Sequence, residues 1–170
     1  MLIFIRISRV LNQIAGMLAM LLIVYMFCHI ILEIGLRMFG MSTYVLDEFI
    51  GYAVATMTFL GLGYSLDRGG LIRVNVLLDR LPERYHWLPD LVASWAACWL
   101  FSWLSIYWFH TVERSFIRGT TSQSLAATPL WIPQGAVLVG LALLCLTLAV
   151  RGLSLFVYRR PPMALQHQVN

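Results

Sequence analysis

Four stretches free of Asp, Glu, Lys and Arg divide this chain of 170 residues: Val10–Leu32, Phe49–Leu66, Leu91–Val112 and Gly119–Val150. At roughly 1.5 Å of rise per residue each is long enough, as a helix, to cross about 30 Å of hydrocarbon, the second only just. Lipid offers no water to bond backbone N–H and C=O groups, so such stretches must be helices or the strands of a closed barrel. Barrel strands alternate inward and outward residues, and no alternation is visible here. The sequence therefore predicts an all-α membrane protein with four transmembrane helices.

Composition supports that solvent. Hydrophobic residues make up 60% and charged ones 12%, too little polar material to coat a globule in water. Arg6 and Arg9 precede the first apolar stretch as the basic region of a cleaved signal peptide would. That stretch is too long for a signal peptide, and no small-residue cleavage site follows it before Glu33 and Arg37, so the first helix is expected to stay. Cys28, Cys98 and Cys145 fall in three different stretches without CxxC spacing, as buried small hydrophobes do and paired redox thiols do not. No phosphate loop, nucleophile elbow, HExxH or pair of catalytic carboxylates occurs, so neither enzyme activity nor a cofactor is expected.

All the positive charge is arginine. Assigned alternately to the two membrane faces, Arg6, Arg9, Arg68, Arg73, Arg80, Arg84, Arg151, Arg159 and Arg160 fall on one side. Arg37, Arg114 and Arg118 fall on the other. The positive-inside rule then places both termini and the middle loop in the cytoplasm. The expected spans run over about residues 12–36, 47–67, 89–112 and 132–156, in one membrane domain of roughly residues 1–160 followed by a disordered cytoplasmic tail, 161–170. In the middle loop Leu71, Val74, Leu77, Leu78 and Leu81 share one side of a helical wheel, with Arg73, Asn75, Asp79 and Arg80 opposite. This predicts a short amphipathic helix lying in the interface between helices 2 and 3 and ended by Pro82. Pro129 and Pro133 bracket Trp131, so the fourth helix is expected to start near Pro133 with an aromatic anchor.

Ionisable residues near the spans are the first functional suspects. Glu33 and Arg37 stand four apart in the favoured acid-before-base order, and an ion pair is the simplest account. Glu48, beside Asp47 where the second span opens, is expected to reach toward water and complement the helix N-terminus, or else to meet an arginine of a partner. Small residues form one seam on helix 2 (Gly51, Ala55, Thr58, Gly61, Ser65) and another on helix 4 (Ala142, Cys145, Ala149, Gly152). They mark contact faces, within the chain or to another one. Trp95, Trp99 and Trp103 recur every four residues on helix 3. Packing inside the bundle is the simpler role for this ridge, and docking against a partner the alternative. His29 and His110 fall near the same ends of antiparallel spans 1 and 3, which permits a bis-histidine haem and hence a membrane cytochrome or quinone-linked electron carrier. Polar bonding across helices is the simpler use of two lone histidines.

Asp47-Glu48, Phe59-Leu60-Gly61, the run from Asp67-Arg68-Gly69-Gly70 through Arg73-Val74-Asn75 to Leu81-Pro82, Pro129-Leu130-Trp131 and Pro133-Gln134-Gly135 occur in that order. Together they resemble the small membrane subunit, Q-type or DctQ-like, of tripartite ATP-independent periplasmic (TRAP) transporters, which commonly carry His where Leu71 stands and Asp where Asn75 stands. The resemblance implies a sodium-coupled importer of organic acids. Its three parts would be a periplasmic solute-binding protein, a large multi-span permease subunit and this chain as an inner-membrane scaffold among lipids. It further implies that Glu48 and the region of Arg68 to Arg73 shape the inner loop and contacts within the complex. Substrate and sodium sites would belong to the large subunit.

Overall fold

The computed structural model describes residues 2–70 and 87–158. They form four helices: α1 (Leu2–Met38), α2 (Leu46–Asp67), α3 (Trp87–Ile117) and α4 (Trp131–Tyr158). Each is long and apolar enough to cross a membrane. Among the described residues there is no strand, only an isolated antiparallel bridge between Thr121 and Pro129 in the α3–α4 loop. The interfacial helix expected over Leu71 to Leu81, and the tail from Pro161, lie outside the described residues.

α1 begins well before its apolar stretch, and α4 two residues before the expected Pro133. α1 continues through Arg9 and Arg6, because a charge ends the lipid-immersed length without ending the helix. Arg9 finds Asp67 of α2 at 3.7 Å, and Arg6 is exposed. α4 opens at Trp131, which puts Pro133 in its first turn, where a missing N–H has no intrahelical partner to lose. The far ends of α1, α2 and α3 share one device. Gly40, Gly69 and Gly119 adopt positive φ (72°, 70° and 59°), and the following amides of Met41, Gly70 and Thr120 reach back to the carbonyls of Leu36, Ser65 and Ser115 at 3.0, 2.8 and 3.1 Å. A left-handed residue closing a helix in this way satisfies carbonyls that would otherwise be orphaned.

The packing order across the bundle is α1, α2, α4, α3, with α1 also leaning on α4. Two small clusters fill the seams. Ala15 and Ala19 of α1 meet Leu60 of α2, flanked by Leu22, Met57 and Leu143. Leu66, Leu144 and Leu148 meet Ala97, Cys98 and Phe101, the inward stripe of α3. Close approach is set by glycine. A Cβ on Gly140 of α4 would lie 2.8 Å from Phe59 Cβ and 2.9 Å from that residue's backbone carbon, so α4 touches the backbone of α2 there. A Cβ on Gly16 of α1 would lie 2.6 Å from the Tyr64 ring. In lipid, where no water is expelled on helix association, such intimate contact supplies most of the attraction.

Candidate interaction surface and its polar anchors

One end of the bundle carries the α1–α2 and α3–α4 loops, and a glutamate organises each loop. Glu33, in the last turns of α1, is 1% exposed. Its Oε1 accepts from Arg37 Nε at 3.1 Å and from the Ser42 hydroxyl, and its Oε2 from the Thr43 amide at 3.1 Å and hydroxyl at 2.6 Å. The expected Glu33–Arg37 pair is present, but most donors come from the α1–α2 loop, which the carboxylate ties down. Spacing along a helix could not reveal those loop donors. Glu48, in the first turn of α2, departs from the expectation of an acid reaching for water. It accepts from Tyr52 Oη at 2.9 Å and from the Ser124 hydroxyl, so it fastens the α3–α4 loop onto α2. Within that loop, Ser122 N to Thr128 O (2.9 Å) and Leu130 N to Thr120 O (3.1 Å) make a narrow hairpin whose tip bears Leu125, 81% exposed. A cleft lined by Glu33, Arg37, Ser42, Tyr44, Leu46 and Asp47 lies at this end.

At the opposite end, ion pairs staple neighbouring helices: Arg9 to Asp67 joins α1 to α2, and Arg151 to Asp90 at 3.3 Å joins α4 to α3. Arg68, expected to shape the inner loop, caps α2 and lies over the ring of Tyr64 at 5.1 Å from its centroid. Arg73 lies outside the described residues.

Between the two ends the bundle is not wholly apolar, contrary to the impression its charge-free stretches give. Asn12 of α1 is 1% exposed, and its Nδ2 donates to Thr147 Oγ1 of α4 at 2.7 Å. Ser8, one turn away, is also buried. None of the three is ionisable, small-seam or aromatic, the features by which the sequence marks candidate sites. An asparagine in an apolar stretch was the available signal.

The outer surface is where the ridge lies. Trp99 and Trp103 are 74% and 67% exposed, so packing inside the bundle is not their role. Trp95 alone turns partly inward, its Nε1 3.2 Å from the position of a Cβ on Gly152 of α4. The reason is the packing order: α3 rests on α4 through Ala97, Cys98 and Phe101, and the ridge falls on another side. The small-residue seams divide likewise. Gly152 is used inside the chain, whereas a Cβ on Gly51 or Gly61 of α2 would meet nothing within 4 Å. His29 and His110 are not brought face to face, because α1 and α3 flank the α2–α4 pair from opposite sides. His29 bonds Tyr25 at 3.3 Å and packs edge-on against Phe49, while His110 pairs with Glu113 at 3.4 Å. Among the described residues no group of three or more His, Cys, Asp or Glu could hold a metal ion.

The arrangement is thus a bundle braced by polar links within the chain, with a broad apolar and aromatic flank left over. Compared with known families, residues 26–157 match the family model described as tripartite ATP-independent periplasmic transporters, DctQ component. No curated protein and no solved structure matches the chain.

Proposed function

Since the chain belongs to the DctQ component family of tripartite ATP-independent periplasmic transporters, we propose that it acts as the small scaffold subunit that steadies the large permease subunit. The transporter would be a sodium-driven importer of organic acids delivered by a periplasmic binding protein. The observation that carries the reading is the outward ridge of α3, joined to a match that covers most of the chain. Large rigid aromatics left on a surface are the side chains that anchor partners. The carboxylates Glu33 and Glu48 are engaged within the chain, which favours bracing over solute binding. In such a transporter the moving part of the permease subunit needs a fixed reference in the bilayer, and a braced bundle pressed against the permease's scaffold widens that fixed part.

Orientation belongs to the same proposal. With nine arginines assigned to one face and three to the other, the positive-inside rule favours cytoplasmic termini in a bacterial inner membrane. The loop end with Glu33 and Glu48 would then be periplasmic, and the Arg9–Asp67 and Arg151–Asp90 staples cytoplasmic.

Co-expression with the permease subunit tests the role. The double substitution Trp99→Ala, Trp103→Ala should weaken recovery of the pair, and unchanged recovery would detach the ridge from partner binding. Reconstituted alone in proteoliposomes the chain should move no solute; an accumulated solute gradient would refute an accessory role.

A further inference from the structure

The contact face of α1 is nearly smooth through its first half. There the buried line runs Ile5, Ser8, Asn12, Ala15, Gly16, Ala19, small apart from Ile5 and Asn12, and only toward the loop end do Met26 and Glu33 join it. Such a strip packs closely, but against α4 it distinguishes weakly between positions one turn, about 5.4 Å, apart, its specific contact with α2 being the Tyr64 ring over Gly16. Asn12 breaks the degeneracy. It sits where three helices meet: Nδ2 donates to Thr147 Oγ1 at 2.7 Å, and the Thr147 hydroxyl donates onward to Leu143 O of its own helix at 2.8 Å. The other amide atom, Oδ1, lies 2.7 Å from where a Cβ on Gly63 of α2 would stand and has no hydrogen-bond partner. Gly63 is therefore the notch that admits the amide, and Thr147 the group that holds it. A slide of one turn would offer Ser8 in place of Asn12, a side chain too short to make the same reach, and would leave the amide buried against apolar neighbours.

We propose that Asn12, with Thr147 and Gly63, sets the register of α1 against α4 and α2, so that the bundle holds one vertical alignment that the small residues of this face specify only weakly. A single buried asparagine can fix register between helices at a cost in stability, and in lipid the penalty for an unpaired amide sharpens the choice. The inference stands on packing and hydrogen bonding within the chain and holds whether or not the transport role does.

The test uses the full chain in membranes with Cys28, Cys98 and Cys145 replaced by Ala. Single cysteines at Ala15 or Ala19 are paired in turn with cysteines along the buried face of α4 and oxidised. With Asn12 present, each α1 position should cross-link to one α4 partner. In Asn12→Leu, partners one turn apart should appear in comparable yield while the thermal midpoint in detergent holds or rises. A merely stabilising asparagine would do the reverse, lowering the midpoint with the cross-link pattern unchanged, and that result would overturn the proposal. Should Asn12→Leu fail to insert, the near-isosteric Thr147→Val serves, with Thr147→Ser expected to restore the single pattern. One pattern throughout Thr147→Val would equally sink the idea.

Discussion

At the scale of single residues the structure separates positions that look alike in the sequence. Gly140 and Gly61 are both glycines in apolar helices, yet one presses on the backbone of α2 and the other faces open space. Gly140→Ala should therefore cost about 1–3 kcal/mol, since the backbone it meets cannot rotate aside. Gly61→Ala should be neutral or gain about 0.5–1 kcal/mol from helix propensity. Thermal unfolding in detergent, followed by intrinsic fluorescence, measures both. Glu33→Ala should lower the melting midpoint, because the Ser42 and Thr43 donors lose a shared acceptor. Glu33→Gln should lose less, as one acceptor oxygen remains. A Glu33→Ala chain as stable as the native one would show that water replaces the carboxylate at no cost. Of these details the sequence discloses the Glu33–Arg37 spacing and the presence of small residues. Which glycine lies against which backbone depends on how the helices rotate about their axes, and a one-dimensional pattern does not carry that.

Helices as units were far more legible. Their number and order follow from charge-free length, because lipid leaves an apolar chain of that length few other backbones. Their facing was not legible. In water a helix advertises its buried side by polar residues on the other, but in a bilayer both sides are apolar, and the cue vanishes. The ridge of α3 shows the consequence: packing inside the bundle was the simpler expectation, and the exposure of Trp99 and Trp103 overturns it. It follows that Trp99→Ala and Trp103→Ala should each leave the stability of the isolated subunit within about 0.5 kcal/mol of the native value. A loss several times larger in the same melting assay would mean that these rings pack within the chain after all. The α3–α4 hairpin illustrates the opposite limit. Its polar run from Gly119 to Ser124 signals a loop, but nothing in it announces that Ser124 is held by a glutamate from the start of α2.

For the whole molecule, the two loops at one end are fastened to the helices by Glu33 and Glu48, while ion pairs join neighbours at the other. If the arginine bias orients the chain as proposed, a cysteine at Leu125, introduced with the native cysteines replaced, should react with a membrane-impermeant maleimide added to whole cells whose outer membrane is permeabilised. Labelling only after the inner membrane is broken would reverse the topology. α3, which leans chiefly on α4 and turns most of its bulk outward, carries a further consequence for the living cell. If the ridge is the partner-binding face proposed above, a subunit synthesised in excess of its mate would expose that flank to the proteases that patrol the bilayer, so its steady-state abundance should track that of the mate and fall when the mate's gene is deleted.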